Sequence, residues 1–243
     1  MNIIPVIDLL NGVVVHAKQG QRQHYQPIQS QLTHSSKPLD IVSALLDVYP
    51  FETLYIADLN AIQKFQSPFQ DNYVVIEKIM QHYPHLKLWV DAGVTTQLAL
   101  NHWQTLHASL ILGSENFSTL ESYTSLIDEH EAAFILSLDF MSGGFKDAGG
   151  FKGAEAILSN AHYWPENIIV MALSNVGANQ GPNIQLLQNI ANRSKGKNLY
   201  AAGGVRNTDD LMKLKAMHIK GALMATAIHQ QQISNSQLAE IIS

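Results

Sequence analysis

Two stretches of this chain carry the same unusual pattern. "VIDLLNG" (Val6–Gly12) and "SLDFMSG" (Ser137–Gly143) each set one aspartate at the end of an apolar, strand-like run that closes on a glycine. A carboxylate at such a place adds nothing to packing and is costly to bury. Asp8 and Asp139 therefore read as a chemical pair, although a lone aspartate after a strand often does no more than cap a turn. Two carboxylates facing each other across a substrate can divide the work of acid and base, provided their surroundings push the two pKa values apart. Asp58 and Asp91 also close strand-like runs. Asp58 could orient a substrate or a loop, or serve as a hydrogen-bond partner in the rim. Asp91 directly precedes a glycine turn and reads as its cap.

Glycine-bearing strand ends suggest a phosphate. Backbone N–H groups in such a turn, followed by a helix, can hold a dianion. "AGGVRNTDDL" (Ala202–Leu211) has this form, and "MATAIH" (Met224–His229) completes it, which nominates Gly203, Gly204, Ala225 and Thr226. Gly93, Gly113 and Ser114 nominate a second phosphate site. The 11 histidines contain no HExxH and no tight cluster, and cysteine is absent, so neither a metal nor another cofactor is expected. His16, Lys18 and His24 lie in the segment after the first strand, where a ligand could reach them, although surface histidines are the plainer account. The net charge is −5 with no basic run, which argues against nucleic acid. No stretch resembles a signal segment or a membrane span, so a cytoplasmic protein without membrane contact is expected.

These residues need a scaffold, and the periodicity supplies one. Apolar runs over Asn2–Ile7, Thr53–Ala57, Leu86–Val90, Ser109–Leu112, Ala133–Leu138, Asn167–Ala172, Asn198–Ala202 and Gly221–Met224 alternate with amphipathic stretches. The latter cover Pro38–Val48, Asp71–His82, Thr96–Leu106, Thr119–Glu129, Gly153–Ala161, Ile184–Arg193, Asn207–Met217 and Gln237–Ile242. Pro38 suits a first helical turn, and Thr96, Thr119 and Asn207 are N-cap residues. Continuous apolar strands alternating with helices indicate a parallel sheet, and eight such units match a (β/α)8 TIM barrel formed as one domain over residues 1–243. The ends of strands 1, 3 and 4 are echoed by those of strands 5, 7 and 8, which reads as a half-barrel duplication. Two stretches stand outside the units: residues 12–37, hairpin-like and then polar, and the glycine-rich residues 142–153. Both leave the C-terminal ends of strands, where a barrel keeps its active site, so both are expected to be mobile loops over it, with Gly143, Gly144, Gly149 and Gly150 as hinges. Trp89, Trp103 and Trp164 read as packing.

The segments "IIPVIDLLNGVVVHAKQG", "LYIADLNA", "LSLDF" and "AAGGVRN", together with the half-repeat, resemble the histidine-biosynthesis barrels along the whole chain. Within that family the resemblance is nearer to the isomerase of phosphoribosylformimino-aminoimidazole-carboxamide ribotide (ProFAR isomerase) than to the cyclase that follows it. It implies a (β/α)8 barrel, a phosphorylated small-molecule substrate with two phosphates at opposite ends, and an Amadori rearrangement of an aminoaldose to an aminoketose. On that resemblance Asp8 is the general base at C2 and Asp139 the general acid for ring opening. Phosphate contacts fall at Gly203, Gly204, Ala225 and Thr226, and at Gly93, Gly113 and Ser114. The family's Gly-Gly-Gly-Val-Arg type segment after strand 3 is here "DAGVTT", and its polar Thr-Asp-Ile-Ser-Arg-Asp-Gly-Thr type segment after strand 6 is "MALSNVGANQGPN". Ala172, Asn175, Val176 and Ala178 stand at expected Asp, Arg, Asp and Thr positions, Ala225-Thr226 at a Gly-Arg, and His16 at an Arg. The chain is similar to a divergent group found in one-carbon-metabolising microbes, near pathways for tetrahydromethanopterin-type cofactors. The alternatives are thus an enzyme acting on another phosphorylated metabolite, in such a cofactor pathway for instance, or a non-catalytic phosphometabolite-binding protein.

Overall fold

A computed structural model describes residues 1–64, 71–117, 119–130, 134–141, 144–145, 157–158 and 160–242. Its strands are β1 (Asn2–Leu10), β2 (Val13–Val15), β3 (Thr53–Asp58), β4 (Lys87–Asp91), β5 (Ser109–Gly113), β6 (Phe134–Met141), β7 (Gly144–Phe145), β8 (Asn167–Ala172), β9 (Asn198–Ala202) and β10 (Gly221–Met224). The α-helices are α1 (Pro38–Val48), α2 (Leu59–Gln63), α3 (Tyr73–His82), α4 (Gln97–Trp103), α5 (Leu120–His130), α6 (Ile184–Ala191), α7 (Thr208–Ala216), α8 (Thr226–His229) and α9 (Asn235–Ile242). The helix expected over Gly153–Ala161 lies largely outside the described residues. So do the hinges proposed at Gly143, Gly149 and Gly150, whereas Gly144 sits in β7, paired with Met141 of β6.

Eight parallel strands close on themselves: β1, β3, β4, β5, β6, β8, β9 and β10, with β10 returning to pair with β1. Following the strand register once round the wall returns the path to β1 displaced by eight residues, the shear of a (β/α)8 barrel. The fold class expected from periodicity is therefore the one observed. The helix starts follow the expected chemistry. Thr96 Oγ1 accepts the Ala99 N–H at 3.2 Å, Thr119 Oγ1 that of Ser122 at 3.1 Å, and Asn207 Oδ1 that of Asp210 at 3.0 Å.

Side-chain alternation along each strand divides the apolar residues into two cores. One set, including Ile3, Ile7, Leu54, Ile56, Leu88, Val90, Leu136 and Leu138, faces the helices. The other fills the barrel interior with Ile4, Tyr55, Trp89, Ile111, Ile135, Ile169, Tyr200 and Leu223, and here Trp89 meets Tyr200 edge-on at 4.8 Å. Trp103 and Trp164 pack in the outer core. β1 runs three residues beyond its expected end because β2 folds back on it antiparallel, pairing Asp8 with Val15.

Candidate active site

The same alternation decides which strand-end carboxylates can reach a ligand. Asp8 is in phase with Ile4, Asp91 with Trp89, and Asp139 with Ile135, so all three point into the barrel at the C-terminal ends of its first, third and fifth strands. Asp58 is in phase with Leu54 and Ile56 and points the other way. It is fully buried, and its Oδ1 accepts the N–H groups of Asn60 and Ala61 at 3.1 Å, capping α2, and the Asn72 side-chain amide at 2.7 Å. Asp58 is thus a rim partner rather than a ligand contact. Asp58→Ala leaves several buried donors unmet and is expected to cost about 2–4 kcal/mol in urea unfolding.

Asp8, Asp91 and Asp139 line one cavity of about 150 Å³ at the barrel mouth. Its roof is the segment after β2, from which His16, Ala17, Gly20, Arg22, Tyr25 and Gln29 contribute. That roof rests on the loop after β8: the Gln19 N–H donates to Val176 O at 2.9 Å, and Gly177 packs directly on the backbone of Ala17. Arg22 reaches across to an ion pair with Glu115, beyond β5. Lys18 and His24 stay outside the lining.

Burial in this largely apolar hollow disfavours charge. It pushes Asp8 up to about 7 against the pull of Arg22, and Asp91 up to about 6. It also pushes Asp139 up to about 7, and here the neighbouring charges of Glu115 and Asp91 add to the rise while hydrogen bonds from Ser137 and Ser114 oppose it. The partners differ too. Asp139 accepts from Ser137 Oγ at 2.8 Å, Ser114 Oγ at 3.0 Å and the Glu115 N–H at 3.3 Å. No hydrogen bond or ion pair joins Asp8 to any other described side chain, so its carboxylate is open to the cavity. A cation beside Asp8 favours its carboxylate, and anions beside Asp139 favour its acid form. Burial is nevertheless the largest cause for both, and both carboxyls stand near neutrality, where either can hold or release a proton.

The family model for histidine biosynthesis proteins matches residues 2–234. The chain belongs to that family. It is 29% identical over 243 residues to an uncharacterized protein of Methanocaldococcus jannaschii, covering 100% of this chain and 98% of the other. It is 27% identical over 240 residues to the 1-(5-phosphoribosyl)-5-((5-phosphoribosylamino)methylideneamino)imidazole-4-carboxamide isomerase of Campylobacter hominis, covering 96% of each. The isomerase of the same name from Brachyspira hyodysenteriae is 25% identical over 247 residues, with 99% of each covered.

This histidine-biosynthesis-family barrel brings some of the expected phosphate residues together and leaves others apart. Gly203, Gly204, Ala225 and Thr226 line the cavity on the side opposite Asp91. Gly93, Gly113 and Ser114 do not. Gly93 packs on the backbone of Ile62 in α2, and Ser114 is fully buried with its hydroxyl engaged by Asp139. Residue typing alone overlooked four lining groups: Tyr55, whose hydroxyl approaches Asp91 Oδ2 at 3.4 Å, Arg22, Tyr25 and Glu115. One signal was present. The chain has only three arginines, and two of them, Arg22 and Arg206, stand in segments that follow barrel strands. His229 is buried at the cavity wall with Nδ1 3.0 Å from Ser30 Oγ, and burial lowers it to about 4, so it is neutral. Among the described residues no group of His, Asp and Glu is arranged to hold a metal, and no helix is long and apolar enough to cross a membrane.

Proposed function

We propose that this protein is an acid–base isomerase of a phosphorylated small molecule, converting an aminoaldose to an aminoketose. The observation that carries the reading is that Asp8 and Asp139 line one cavity from opposite sides of the barrel mouth, both pushed by burial to about 7. The isomerase names of the relatives support it. Asp139 donates its proton to the sugar ring oxygen. The C1–O bond then breaks, and the lone pair of the attached nitrogen forms C1=N. Asp8 removes the C2 proton, the C2–H pair becomes C1=C2, and the C1=N pair returns to nitrogen. In ketonisation Asp8 returns its proton to C1 while the C2 hydroxyl gives up its own, which restores the Asp139 acid, so the product is an isomer with no atom gained or lost. The phosphate sits at Gly203, Gly204, Ala225 and Thr226.

The test is turnover of the relatives' imidazole-carboxamide substrate by purified protein, with kcat/KM followed against pH. A bell with both limbs near pH 7 is expected, its apparent values belonging to the pair of carboxylates. Asp139→Asn removes the alkaline limb along with most of the rate. Folded protein that neither turns this substrate over nor rescues a strain lacking the histidine-pathway isomerase would move the reading to its second form, an isomerase-type enzyme for another phosphorylated metabolite. The strand-6 loop favours that form, because Leu173, Val176, Gly177 and Asn179 give the cavity a mainly apolar wall where the family pattern is polar.

A further inference from the structure

The cavity is polarised from end to end. Its four carboxylates, Asp8, Asp91, Glu115 and Asp139, all come from the first five barrel strands and the segments that follow them. The opposite side, Gly203–Arg206 and Met224–Ala227, contributes no carboxylate and brings the Arg206 guanidinium. Asp91 stands at the centre of the acidic side. Its Oδ1 is fixed by the Gly93 N–H at 3.1 Å. Its Oδ2 accepts a long hydrogen bond from the Tyr55 hydroxyl at 3.4 Å, beyond the usual O–H···O range, which a better donor can displace. A methyl placed on Gly113 would lie 3.8 Å from Asp91 Oδ2 and 3.6 Å from Asp139 Oδ2, so the two oxygens border the same space. Among the described residues Asp91 makes no ion pair, since Arg22 is engaged by Glu115.

We infer that Asp91 is a specificity-determining residue that seats an ammonium or similar nitrogen group, so that the ligand is a monophosphate carrying an amine at its far end rather than a bisphosphate. The inference rests on the phosphate seat proposed above at Gly203, Gly204, Ala225 and Thr226 and on the second form of that reading, an isomerase-type enzyme for a phosphorylated metabolite other than the relatives' substrate. A second phosphate at the acidic end meets the carboxylates of Asp8, Asp91 and Asp139, and Arg22, the cation that lines this side, is already paired with Glu115. An ammonium meets Asp91 Oδ2 in a setting where a charge-assisted hydrogen bond is strong.

Calorimetric titration at pH 7.5 with glucose 6-phosphate, glucosamine 6-phosphate and fructose 1,6-bisphosphate tests this. The two hexose monophosphates differ only in one hydroxyl replaced by an amine. The amine is expected to bind about 10-fold to 100-fold more tightly, the worth of one hydrogen bond to a charged group. That preference should vanish in Asp91→Asn, and also in Asp91→Ser, whose hydroxyl keeps a cap for the Gly93 N–H. Circular dichroism melts confirm that both variants are folded. A bisphosphate that binds more tightly than either monophosphate overturns the inference, as does an amine preference that survives both substitutions, and in either case the phosphate seat stands. If none of the three binds at millimolar concentration, the seat itself falls and the inference with it.

Discussion

Asp8→Asn is expected to cut turnover about 10²–10⁴-fold and, at pH 8, to make the protein more stable than the wild type. The loss follows from the proposed chemistry, in which an amide cannot take up the C2 proton. The gain follows from burial. Asp8 is held at about 7 in the folded protein against 3.8 for a free aspartate, chiefly because its carboxylate is removed from water. The folded state therefore binds a proton that the unfolded chain releases between pH 4 and 7, and stability falls as the pH rises through that window. A shift of this size corresponds to about 4 kcal/mol for a group sealed from solvent. The cavity opening reduces it to about 2–3 kcal/mol, or roughly 5–10 °C in thermal midpoint for a chain of this length. Asparagine removes the charge and sacrifices no hydrogen bond, because Asp8 has none among the described side chains. The advantage should shrink toward zero at pH 5, where wild-type Asp8 is already neutral. Asp139→Asn should gain less or lose, since three donors converge on that carboxylate and an amide presents N–H groups to some of them. Melting curves at pH 8 and pH 5 check this. An Asp8→Asn midpoint below wild type at pH 8, or an equal gain at both pH values, would rule out the buried charge.

Much of the scaffold was legible in the sequence because barrel strands are buried on both faces and read as short, continuous apolar runs. The period of residues along those runs was legible, but which set of alternate positions faces inward was not. Asp58 lies three positions after Tyr55 and Asp91 two after Trp89, so counting separates the outward carboxylate from the inward one once the structure shows that Tyr55 and Trp89 face the interior. Residue type drew Asp91 toward a turn cap. It does cap Gly93, yet its alternation also puts it in the cavity. Contacts across the mouth were not legible. Arg22 and Glu115 stand 93 residues apart and meet only because the segment after β2 lies over the mouth. Glycine spacing was equally silent on whether a turn faces the cavity, as at Gly203, or the back of a helix, as at Gly93.

Gly204→Ala is expected to cost about 3–5 kcal/mol and to loosen the Gly203–Arg206 side of the cavity, where the phosphate seat is proposed. Gly204 has φ +87°, a left-handed conformation that penalises any side chain, and a Cβ there would lie 2.2 Å from the carbonyl oxygen of Gly181. Neither partner can give way cheaply. Gly181 O also accepts the Asn175 side-chain amide at 2.9 Å, and the space over Gly181 is filled by the Arg206 guanidinium, itself fixed to Asp210 at 2.8 Å. Gly203, alongside, presses on the Ala172 carbonyl in the same way, so two consecutive glycines clamp the strand-7 turn to the strand-6 loop. Separating them moves Val176, and with it the ledge on which Gln19 and the cavity roof rest. Gly12→Ala isolates the conformational part, because Gly12 has φ +79° with nothing within 4 Å of a Cβ, and about 1 kcal/mol is expected there. Urea unfolding should therefore separate the two variants by at least about 2 kcal/mol. Weaker binding of glucose 6-phosphate should accompany Gly204→Ala alone, and equal effects of the two alanines on both measurements would mean that the loops are not clamped at this point.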